Sequence, residues 1–86
     1  MIYMISYDLS PSTSRDAVMD DIKSFGTWCK YLTTTFLIDT NQSVDDVTSV
    51  CTRHLSNDDR MIIAPVSGKI NGHLTHDQWD WINNNL

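Results

Sequence analysis

Residues 28–39, Trp28-Cys29-Lys30-Tyr31-Leu32-Thr33-Thr34-Thr35-Phe36-Leu37-Ile38-Asp39, decide the fold. The stretch is aromatic and β-branched, which suits a pleated sheet. Leu32, Thr34, Phe36 and Ile38 alternate with Thr33, Thr35, Leu37 and Asp39. Twelve such residues predict either a strand pair or one long strand kinked near Leu32-Thr33. No Gly or Asn-Gly marks a turn, so the pattern does not choose between them.

Upstream, Ile2–Leu9 is apolar and aromatic without a breaker, and predicts a strand buried on both faces and central in its sheet. Ser10-Pro11-Ser12-Thr13 signals a helix start. Val18, Ile22 and Phe25 repeat at helical spacing and Gly26 stops them, so a helix is expected over about 12–25. Downstream, Ser43 with Asp46 opens a second helix whose stripe is Val44, Val47, Cys51 and Leu55, and Asn57-Asp58-Asp59 ends it. Residues 60–67 read as a strand, and Pro65 directs it to a sheet edge because it cannot donate to a ladder. Thr75 and Gln78 form a capping box for a short last helix, about 75–86, with Trp79, Ile82 and Leu86 on one face.

The order is β-α-β-β-α-β with a terminal helix. It predicts an α+β, ferredoxin-like antiparallel sheet with two helices on one face. The 86 residues make a single domain, core 2–67, because a second core does not fit. The other sheet face stays bare unless the last helix or a partner covers it. Tyr3, Tyr7 and Phe36 are candidates for that face, which predicts a homodimer. Trp79 and Trp81 point to different sides of the last helix, so Trp81 is a further interface candidate.

Six basic against 11 acidic residues give a net charge of −5. Duplex nucleic acid is bound by cations that neutralise phosphates, so no duplex DNA binding is expected beyond a small local patch. No apolar run reaches the ~20 residues of a membrane span, and the first residues lack the basic start of a signal peptide. A cytoplasmic protein is expected. Cys29 and Cys51 form no Cys-x-x-Cys and read as free thiols.

The string Ser6-Tyr7-Asp8-Leu9, the Phe25-Gly26 helix stop, Thr27–Ile38 and the phrase His54–Ile63 resemble the small SinR-like proteins of bacteria and phages. More distantly, residues 2–67 resemble the CRISPR-associated protein two family and the VapD ribonucleases. The resemblance implies a ferredoxin-like homodimer in which Asp8, ending the first strand, approaches its copy near the dimer axis, where the pair can hold a divalent metal. The chain departs from the CRISPR family in its acidity and in its Trp-rich terminal helix, where that family has an exchanging strand.

Chemically, Asp8 is the sharpest candidate. A carboxylate from each of two subunits can bind Mg²⁺ and generate hydroxide for phosphodiester hydrolysis; alternatively Asp8 caps the loop before Ser10-Pro11. Ser10, Ser12 and Thr13 at a helix start, with Arg15 beside them, are the candidate anion-binding set, and with Asp8 they make the five expected ligand-binding residues. Thr33–Thr35 can line a groove, and Trp28, Tyr31 and Phe36 can stack on bases or simply fill core. His73 and His76 lack a third metal ligand at supportive spacing. No nucleophile elbow or Gly-rich phosphate loop occurs. The expectation is a non-catalytic binding module without a cofactor, a phage or mobile-element accessory protein taking a nucleotide-type ligand or a host protein. The alternatives are an Mg²⁺-dependent endoribonuclease using Asp8 from both subunits and an acidic inhibitor of a nucleic-acid-binding protein.

Overall fold

In the computed structural model, which describes residues 1–86, the chain runs β1 (Ile2–Asp8), α1 (Arg15–Lys23), β2 (Thr27–Leu32), β3 (Thr35–Asp39), α2 (Val44–Cys51), β4 (Arg60–Val66) and α3 (His76–Asn85). The strands form one sheet in the order β2-β3-β1-β4, and every neighbouring pair is antiparallel. The apolar β1 is central, and β4 with its Pro65 lies at an edge.

The stretch 28–39 is a strand pair turning at Thr33-Thr34. The turn needs no glycine because no non-glycine residue of the chain has a positive φ. The register shifts between Lys30 and Leu32, so a bulge at Tyr31 supplies the bend. The turn is tied down by its carbonyls: Thr34 O accepts from Tyr7 N at 3.1 Å, and Thr33 O accepts from Tyr7 Oη at 3.4 Å and from Arg15 at 3.3 Å.

α1 is shorter than its sequence pattern suggests. Thr13 N closes a turn on Ser10 O at 3.1 Å, and Ser14 is the N-cap, accepting from Ala17 N at 3.3 Å. Past its C-terminus, Gly26 takes φ +115°, and a Cβ there would sit 3.3 Å from Asp39 O. That close approach and the left-handed backbone both call for glycine. The caps expected of α2 and α3 are present: Ser43 accepts from Asp46 N, and Thr75 and Gln78 bond reciprocally.

Two clusters make up the core. The larger lies between the sheet and α1 and α2, where Ile5, Val18, Ile22, Ile38, Val47 and Cys51 are fully buried. Tyr3, Tyr7 and Phe36 belong to it, which corrects their assignment to the uncovered face. Strand alternation puts residues 3, 5 and 7 of β1 on the same side as 36 and 38 of β3, under the helices. The two tyrosine hydroxyls are spent inside the chain: Tyr3 donates to Gln42 O at 2.8 Å, and the one Tyr7 hydroxyl proton is shared between Thr33 O and Met19 Sδ, each at 3.4 Å.

The smaller cluster, Ile2, Leu37 and Ile82, lies on the opposite sheet face, where α3 docks. Trp81 packs around it and meets Tyr31 edge-on at 6.3 Å, so its ring is half-buried within the chain. α3 covers only part of this face. Met4 on β1 is 42% exposed, so β1 is not buried on both sides along its length. No helix is long and apolar enough to cross a membrane.

Candidate functional site

The hydroxyl-rich loop after β1 is closed by a carboxylate from the chain itself. Asp59, buried just before β4, accepts from Ser10 N at 2.6 Å, Thr13 Oγ1 at 2.5 Å and Ser56 N at 2.8 Å. Ser10 Oγ in turn lies 3.1 Å from Ser12 Oγ and 3.2 Å from Thr13 Oγ1. The donors expected to hold a bound anion therefore hold Asp59, which corrects the reading of Ser10 and Thr13 as an open ligand site. Arg15 turns away to Thr33 O and the Tyr7 ring. Of the five expected ligand residues, only Ser10, Ser12 and Thr13 come together. Asp59 was hidden in the sequence because its partners lie 46 and 49 residues away; only the adjacent Ser56-x-x-Asp59 spacing gives a local sign.

Hydrogen bonds from the Ser56 amide, the Thr13 hydroxyl and the Ser10 amide hold the Asp59 carboxyl far below the usual carboxylate range. Its folded pKa is depressed, so its contribution to stability is complete above the unfolded value of about 3.9. It is lost as pH falls through the folded value. Wild type is therefore expected to lose urea resistance steadily below about pH 4, and Asp59→Asn to be weaker at neutral pH with a flatter acid limb. Urea midpoints from pH 7 to pH 2 check this.

Asp8 does not cap the Ser10 loop; Asp59 does. The Asp8 side chain is exposed, makes no hydrogen bond, and stands opposite Arg60 in the β1–β4 register. Ser6, Ile62 and these two line a shallow hollow of about 270 Å³ on the uncovered face.

Beside it runs an apolar groove of about 420 Å³ between the sheet, Ile70, Leu74 and Ile82. Its floor is Met4, Leu37 and Val66, and Lys69 is its one cation. The groove opens onto Leu32, 63% exposed, and Ile62, 68% exposed, lies farther along the same face. α3 is held over one side of the groove by Gln78, whose Nε2 donates to Tyr31 O at 3.0 Å and Lys30 O at 3.2 Å, the carbonyls turned out at the bulge. Tyr31 Oη donates back to Gln78 O at 2.8 Å.

Asp21 and its partners serve structure. Asp21 is buried and bidentate to Arg53, Nε at 3.1 Å and Nη2 at 2.5 Å, with His54 Nε2 at 3.5 Å. This ties α1 to the end of α2. Burial, reinforced by the Asp21 carboxylate, pushes the Cys51 thiol up to about 12, so it carries no thiolate at neutral pH. His76 pairs with Asp80 at 3.4 Å. No three of the chain's His, Cys and acidic residues are grouped to hold a metal.

Compared with family models, curated proteins and solved structures, the chain matches none.

Proposed function

We propose that the chain is a non-catalytic, homodimeric binding module of ferredoxin-like topology. It acts in the setting suggested by its SinR-like resemblance, as a phage or mobile-element accessory protein that takes a nucleotide-type ligand or a host protein. The observation that carries this reading is the half-covered sheet face. Met4, Leu32 and Ile62 stand exposed around an apolar groove that α3 closes on one side only, and a domain of this size gains most by burying such a face against a copy of itself. The strand order with both α1 and α2 packed on one side supports the ferredoxin-like assignment. Asp8 and Arg60 lie on the same face as register partners, so a two-fold copy can set each carboxylate against the other subunit's guanidinium.

Sedimentation equilibrium at micromolar concentration is expected to give twice the 9.8 kDa chain mass, and Ile62→Asp to return it to the monomer. A wild-type monomer overturns the dimer. Mg²⁺-dependent RNA cleavage that persists through purification and vanishes in Asp8→Ala replaces the binding module with the endoribonuclease reading.

A further inference from the structure

The helix-side residues of the edge strand β2 form a second surface. α1 packs on β3 and meets β2 through the Lys23 side chain over Trp28, whose indole is left 40% exposed. Trp28 and Lys30 thus form a ledge beside the α1 row Arg15–Met19–Lys23, which repeats every fourth residue. Three rings follow one another from the ledge into the core: Trp28 to Phe36 at 5.8 Å and Phe36 to Tyr7 at 6.4 Å, with Phe36 and Tyr7 themselves buried. A cation lies over each. Lys23 Nζ is 4.6 Å from the Trp28 ring centre, Lys30 Nζ 5.8 Å from Phe36, and Arg15 Cζ 5.9 Å from Tyr7.

Half of the chain's six cations therefore gather on one ledge of a protein with 11 acidic residues. None of the three meets a carboxylate within ion-pair distance, although Asp16 and Asp20 stand on the adjoining row of α1. Arg15 uses one donor on Thr33 O, which leaves most of its fork for an anion.

We propose that this ledge binds a short single-stranded nucleic-acid segment, one base stacking at Trp28 and successive phosphates meeting Lys23, Lys30 and Arg15. The inference rests on the binding-module reading and names its ligand. Exposed indole with unpaired cations is the chemistry single-stranded segments require. The three cations sit over three different rings, an arrangement that suits successive phosphates better than a lone one. A duplex brings its second strand against an acidic surface, which repels it.

The test is fluorescence anisotropy of a labelled oligothymidylate of about eight nucleotides, across a salt series. Saturable binding is expected, with log K falling against log salt at a slope of about −2 for three phosphates. Lys23→Gln, Lys30→Gln and Arg15→Gln are each expected to reduce the slope by about 0.7. Trp28→Leu weakens binding about tenfold, while His73→Gln, exposed on the loop before α3 and outside both surfaces, leaves it unchanged. The three surface variants keep the ledge testable if Trp28→Leu disturbs folding, which circular dichroism reports. No saturable binding, equal affinity for a duplex or for polyglutamate, or equal loss in His73→Gln overturns the proposal. Sedimentation of the same samples separates the two readings: a dimer that ignores the oligonucleotide sinks only the ledge, and a monomer that binds it sinks only the dimer.

Discussion

Phe36→Ala is expected to remove ~3–5 kcal/mol of stability, the largest loss of any single substitution in this chain. The side chain is 1% exposed and is the largest of the fully buried ones. It sits between Tyr7 and Trp28, with Lys30 Nζ 5.8 Å from its ring centre. Truncation leaves a hole walled by two rings that are themselves anchored. Tyr7 is held by its hydroxyl to Met19 and Thr33, so the site closes poorly and the cavity cost is kept. A domain of this length has roughly 4–13 kcal/mol in total, so the variant stands close to unfolding at 25 °C. Urea denaturation followed by far-ultraviolet circular dichroism measures the loss. A change below ~1 kcal/mol would mean that the rings collapse into the space.

Ile82→Ala is the second large effect, expected at ~2–4 kcal/mol. Ile82 is the one fully buried residue of α3 and joins Ile2 and Leu37 to make the second core. The sequence pattern pairs Trp79 with Ile82 as anchors, but Trp79 is only half-buried. Trp79→Ala is therefore expected to cost less than the ~1.5–3 kcal/mol of a fully buried large apolar side chain. Two of the three tryptophans lie on α3, so indole fluorescence reports its release directly. In Ile82→Ala the fluorescence transition should precede the circular dichroism transition, because the Gln78 bonds to β2 are then the main remaining tether. Release of α3 also uncovers Ile2 and Leu37, and self-association should strengthen with the apolar area exposed. Coincident transitions at the wild-type midpoint would show that α3 is held by its polar contacts instead.

Both effects turn on which side of the sheet a residue faces, and that was the least legible property of the chain. The alternation in residues 35–39 is plain, yet alternation tells only that Phe36 and Ile38 share a side, not which one. The side is chosen when Val18, Ile22, Val47 and Cys51 are packed against one face of the assembled sheet. The same long-range step seats Asp59 under Ser10 and Thr13, and a residue expected only to end a helix becomes the clasp of a loop on another element. It also turns Arg15 from the hydroxyl cluster to the β2–β3 turn.

By itself the sequence determined the kinds of element and their order. These depend on apolar period, caps and breakers acting over a few residues: Ser43 with Asp46, Thr75 with Gln78, and Pro65, which confines β4 to an edge. Tertiary structure alone decided the hairpin at Thr33-Thr34, whose turn carbonyls are held by β1 and α1 rather than by a glycine. It also decided the burial of Tyr3, Tyr7 and Phe36 and the partial cover of the second face by α3. Each of these depends on contacts between segments tens of residues apart, whose relative rotation and register are settled only when the elements pack together.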